Sequence, residues 1–149
     1  MGILEGESTA EIDAPLERVW ALVEDVERGT TWQGGLKSLV AVERDAQDHV
    51  LLADTETDAK LATVRTQVRF RYEPPHRLTW DQTRGDLKSL SGLWELEDLG
   101  EDRTRARYRI AVDLGRLGFM IRGPLVDLLR AQLAGARAKE LKTAIERET

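Results

Sequence analysis

The stretch "ATVRTQVRFRY", residues 62–72, places Ala62, Val64, Thr66, Val68, Phe70 and Tyr72 on one side of an extended chain. Arg65, Gln67, Arg69 and Arg71 fall on the other side. "TRARYRIAV", residues 104–112, repeats the arrangement, with Ala106, Tyr108, Ile110 and Val112 opposed to Arg105, Arg107 and Arg109. A slip of one residue would carry a row of arginines into the interior, so the alternation fixes the facing as well as the strand. Between the two, "RLTWDQ" alternates Leu78, Trp80 and Gln82, and "LSGLWEL" alternates Leu90, Gly92, Trp94 and Leu96. Two less regular strands are expected around 36–44 and 49–57. Turn residues at 45–48, 58–60, Pro74-Pro75, Gly85-Asp86 and Gly100 punctuate the run. The pattern predicts an antiparallel meander, apolar on one face and arginine-rich on the other, covered on one side only. The arginine rows read first as a solvated face paired with Glu and Asp across strands, and second as a surface for a membrane or an acidic partner.

Two regions follow a helical period instead. Leu16, Val19, Trp20, Val23 and Val26 form one stripe behind Pro15, which suits a first helical turn, and Gly29 is expected to stop that helix. Trp32 then falls in a loop before the second strand, whereas Trp20 is a scaffold anchor. The last segment, 119–147, carries an apolar stripe that includes Ile121, Leu125, Leu128, Leu141 and Ile145. As one helix it would run roughly 40 Å at 1.5 Å per residue, long enough to cross a sheet, with a break or late start at Gly123-Pro124. The predicted fold is α+β and a single domain over 1–149: a curved antiparallel sheet of about seven strands around a long C-terminal helix, with two short helices after the first strand.

Charge and composition remove several function classes. The 149-residue chain has a net charge of -5 and a pI near 5.2, so nucleic acid is not expected as a partner. The absence of cysteine excludes disulfides, thiolate metal sites and cysteine nucleophiles. No run reaches the roughly 20 apolar residues of a membrane span, and no signal peptide is visible, so stable membrane insertion is not expected and a cytoplasmic location is. His49 and His76 stand apart without metal-ligand spacing, "QGGLKS" lacks the spacing of a phosphate-binding loop, and no serine sits in a nucleophile elbow. No metal or cofactor is expected.

The order of elements and five stretches resemble a known family. "IDAPLERVWALVEDVERGTTW", "EPPHRLTW", "SGLWEL", "EDRTRARYRI" and "LGRLG" are similar, in that order, to the START-like, or helix-grip, superfamily (SRPBCC) that includes the birch-pollen-allergen proteins, and within it to the polyketide cyclase/dehydrase-like family. A rival cone-shaped α+β fold, that of nuclear-transport-factor-like proteins, puts its helices before the sheet, against the order here. The resemblance implies a hydrophobic cavity between the concave sheet face and the long helix, which in such families holds lipids, polyketides, sterols or quinones.

On that geometry the residues expected to contact a small apolar ligand are Trp32, Val64, Thr66, Val68, Trp80, Gln82, Leu90, Trp94, Tyr108, Ile110, Ile121, Leu125 and Leu128. A cyclase, dehydratase or aromatase would also need groups to polarise a ketone and move a proton; Tyr108 and Arg84 are the candidates. A third reading is an interaction module that docks on a protein partner.

Overall fold

A computed structural model describes residues 3–58, 63–115 and 136–148. Its seven strands are β1 (Ile3–Ile12), β2 (Leu36–Arg44), β3 (Val50–Asp58), β4 (Thr63–Glu73), β5 (Arg77–Gly85), β6 (Ser89–Gly100) and β7 (Arg103–Asp113). They form one antiparallel sheet in the order β1-β7-β6-β5-β4-β3-β2. The meander is thus as the alternation predicts, and the first strand joins it beside the last, from Ile3↔Asp113 to Ile12↔Thr104.

The arginine face pairs with acids across strands. Arg107 Nε lies 2.6 Å from Glu7 Oε1, and Arg105 bridges Glu11 at 3.3 Å and Glu97 at 2.9 Å. Arg65 reaches Glu56 at 3.1 Å on the far side of the sheet. Hydrogen bonding to Arg107 holds the Glu7 carboxyl below the usual carboxylate range. Such exposed pairs contribute little to stability. Their effect is on register, because a slip by one residue would break every pair at once.

Between β1 and β2 the chain forms α1 (Leu16–Glu24), a 3-10 turn (Val26–Arg28) and α2 (Gly29–Trp32). Gly29 does not stop the first helix, contrary to the sequence expectation. The break comes at Asp25, whose φ of -85° and ψ of 74° leave the helical region. Gly29 is itself helical at φ -53°, and its missing side chain admits Gln33 and Leu36: a Cβ there would lie 3.0 Å from Gln33 Nε2 and 3.2 Å from Leu36 Cδ2. Trp32 accordingly ends α2 rather than lying in a loop.

The C-terminal helix is described as α3 (Arg137–Arg147). The part of the predicted long helix that carries Gly123-Pro124, Ile121, Leu125 and Leu128 lies outside the described residues. Ala138, Leu141 and Ile145 of α3 are buried. They meet Ile12, Val19, Trp20, Trp94 and Ala106 in a continuous apolar core between the helices and the β1-β7-β6 side of the sheet. Three polar contacts pin the helix: Ala138 N donates to Ser8 Oγ (3.1 Å), Lys142 Nζ to Glu11 O (2.7 Å), and Arg18 Nη2 to Ile145 O (2.9 Å).

Leu141 is fully enclosed at 0% exposure. Leu141→Ala should therefore cost about 2–5 kcal/mol, the range for a buried leucine truncated in a packed core, read as a lower denaturation midpoint with an unchanged m-value.

Candidate functional site

Register places the inner-face side chains in rows across the strands. One row runs Ser8, Tyr108, Trp94, Leu78 and Tyr72; the next runs Gly6, Ile110, Gly92, Trp80 and Phe70. The contacts of α3 begin over the first row, at Ser8, and proceed toward Glu11. The second row lies beyond the first turn of the described helix.

Aromatic rings join the rows. Trp32 lies 6.1 Å from Trp94, Trp94 4.9 Å from Tyr108, Tyr108 5.8 Å from Trp80, and Trp80 6.2 Å from Phe70, centroid to centroid. These tilted contacts fall in the favourable range for aromatic pairs. The chain of rings crosses from β4 to β7 because Gly92 leaves room for the Trp80 indole to lie over β6. A Cβ on Gly92 would sit 2.1 Å from Trp80 Cε2.

The sequence-predicted contact residues divide by burial. Thr66, Val68, Trp94, Tyr108 and Ile110 are buried, whereas Trp32, Val64, Trp80, Gln82 and Leu90 are half-buried. Thr66 shares a 2.8 Å hydroxyl contact with Thr55. Gln82 donates from Nε2 to Leu87 O at 2.8 Å, which leaves its buried Oε1 without a partner among the described residues.

Arg84 does not join them. Simple alternation after Trp80 and Gln82 would turn it inward, but the register shifts between Gln67 and Val68. Thr83 is the extra residue of a bulge; Arg84 pairs with Gln67 and is exposed. It lines a depression of about 520 Å³ with Val40, Asp54, Glu56 and Arg65, away from Tyr108.

Arg137, the first residue of α3, is the participant that the sequence reading missed. It is the only charged residue buried among the described residues, at 7% exposure. Its Nη1 donates to Gly34 O at 3.0 Å and to Glu140 Oε1 at 2.8 Å, and Glu140 Oε2 accepts from Gly34 N at 2.8 Å. Both backbone groups of Gly34 are thus held by a single ion pair on α3. The guanidinium carbon lies 5.9 Å from the Tyr108 ring centroid. The signal available in the sequence was an arginine and a glutamate at i, i+3 (Arg137 and Glu140) where an apolar helix meets the sheet; it names no partner for them.

Burial pushes the Tyr108 phenol above its ordinary value, and the Arg137 charge works against that shift. The phenol is therefore a proton donor throughout the neutral range. Two other clusters are structural in character. His49 lies 3.3 Å from Glu24 and 3.4 Å from Asp45, and His76 Nδ1 lies 3.1 Å from Leu96 O. Among the described residues no group of three His, Cys, Asp or Glu side chains could hold a metal.

A curved antiparallel sheet with short helices after its first strand and a C-terminal helix over its aromatic face defines a helix-grip, START-like protein. The chain belongs to the family described as polyketide cyclase / dehydrase and lipid transport, which it matches over residues 12–136. A START superfamily protein from Mycobacterium smegmatis superposes with a TM-score of 0.83 at 18% identity, covering 97% of this chain and 99% of that one. An aromatase/cyclase from Streptomyces sp. R1128 superposes with a TM-score of 0.74 at 16% identity, covering 98% and 95%. A protein from Thermus thermophilus gives 0.81 at 20% identity, covering 98% and 99%. No curated protein matches the sequence significantly. No described helix is long and apolar enough to cross a membrane.

Two outcomes follow from the site geometry. Gly92→Ala must push the Trp80 indole off β6; the expected cost is about 1–3 kcal/mol, typical of overpacking, with a changed near-ultraviolet dichroism that Trp80→Leu abolishes. The second concerns alkaline pH. A tyrosine raised in the folded state stabilises fully below its unfolded value of about 10, and that contribution is lost as pH rises toward the folded value. Stability should therefore fall above about pH 10, the ordinary tyrosine range, and Tyr108→Phe should flatten the fall in pH-dependent urea titrations.

Proposed function

We propose that the chain binds a small, flat, apolar molecule against the inner face of the sheet, sequestering or carrying it without a cofactor. The observation that supports this most is the state of the aromatic face. Trp94 and Tyr108 are sealed, while Trp80, laid flat over side-chainless Gly92, and Trp32, Val64 and Leu90 remain half-buried around them. A wall of indole and aliphatic surface with a few fixed polar groups is the usual lining of a small-molecule site. The family's description includes lipid transport, and a cysteine-free chain suits a reducing cytoplasm.

Native mass spectrometry of the protein purified from its host tests the reading. The expected spectrum carries a non-covalent adduct of an apolar metabolite, lost in Trp80→Ala. A protein that stays unliganded and also fails to bind any flat apolar probe would remove it, and a protein adduct would favour the interaction module.

One observation supports a second reading, catalysis of cyclisation or dehydration of a poly-ketone. Tyr108 is a buried proton donor beside a guanidinium, the pair of groups that can polarise a carbonyl and hand it a proton. Arg84, exposed on the other face, has no part in it. Wild-type protein that never converts a linear poly-β-ketone thioester to a cyclised product would eliminate this reading. Turnover that falls at least a hundredfold in Tyr108→Phe, roughly the low end for a general acid, would establish it.

A further inference from the structure

Arg137 has a feature that its role in packing α3 does not use. Its Nη1 satisfies Gly34 and Glu140, but its Nε is buried with no hydrogen-bond partner among the described residues. The indole Nε1 of Trp32 is in the same condition. A series of contacts links the two residues. Trp32 precedes by two residues the Gly34 that Arg137 grips, its ring packs on Trp94, and Trp94 packs on the Tyr108 ring that the guanidinium faces. An unmet buried donor is costly, so two bordering an aromatic face call for an acceptor.

We propose that Arg137 Nε and Trp32 Nε1 form an oxygen-reading subsite, and that the ligand seated on the aromatic face carries a neutral carbonyl oxygen that accepts from them. The inference rests on the binding reading above and narrows it, because it excludes pure hydrocarbon chains. A neutral oxygen fits better than an anion, since the Glu140 carboxylate 2.8 Å from Arg137 already balances its charge.

Quenching of intrinsic tryptophan fluorescence by three probes of one shape tests it: 2-acetylnaphthalene, 2-isopropenylnaphthalene and 2-naphthoate. The ketone is the less hydrophobic of the two neutral probes, so burial alone would favour the alkene. The subsite predicts the reverse in wild-type protein, ketone over alkene by about tenfold, which corresponds to roughly 1.4 kcal/mol. The ratio should fall to one or below in Arg137→Met and in Arg137→Lys, which keeps the charge without the Nε–H. Equal wild-type affinities, or a ratio that survives both variants, would overturn the subsite while leaving the pocket standing. Naphthoate bound more tightly than the ketone would overturn the neutral acceptor. Failure of all three to bind would instead bring down the binding reading, and this one with it. The wild-type ratio decides even if the Arg137 variants do not fold.

Discussion

The pairing of β1 with β7 is the constraint on which the other features depend. It brings the first and last strands of the sheet together over their whole length, from Ile3↔Asp113 to Ile12↔Thr104. Strand β1 then gives α3 its seat: Ser8 accepts from the helix's second residue, and Glu11 O accepts from Lys142 one turn later. It also supplies the acids, Glu7 and Glu11, that hold Arg105 and Arg107 of β7 on the wet face. Thr104, fully buried, donates to Ala14 O at 2.8 Å and fixes the exit from β1 into α1. A contact of such sequence separation carries a high loop-closure cost, so the helix seat and the aromatic rows depend on long-range pairing and not on local propensity.

The pairing also divides the inner face. On the β1 side, α1 and α3 fill the space with Trp20, Leu141 and Ile145, and the core is packed. Across the row of Tyr108 and Trp94, half-buried Trp80, Val64 and Leu90 stand among buried Val68, Phe70 and Ile110. Trp80 can lie there only because Gly92 is its cross-strand partner, so one glycine sets the depth of the aromatic wall.

Most of this was legible in the sequence wherever one periodicity held. Strands β2 to β7 fall where alternation and turn residues put them, most sharply β4 and β7, where an apolar row opposite an arginine row admits one facing. Legibility failed where a local event broke the period. The bulge at Thr83 turned Arg84 outward, an outcome that depends on strand pairing and leaves no mark in "DQTRG". Gly29 reads as a helix stop by propensity, yet its backbone is helical and it opens α2, with Gln33 and Leu36 packed where a side chain would stand. Arg137 was invisible as a site residue because its character comes from Gly34 and Tyr108, both remote in sequence.

A buried guanidinium at that border is more than the fold requires. Removing a charge from water is expensive, and a buried ion pair is often matched or bettered in stability by apolar residues of equal volume. The helix start needs a partner for Gly34, but a capping amide could serve that without a full charge. What a guanidinium adds is a rigid set of donors in fixed directions. One arm is used to clamp Gly34 and Glu140, and that same clamp holds the guanidinium over the ring of Tyr108. Preorganisation of this kind lowers the ordering cost of a hydrogen bond to a guest. The ion pair that joins α3 to the loop after Trp32 and the guanidinium that faces Tyr108 are therefore one device: the residue that anchors the start of the helix also borders the aromatic face.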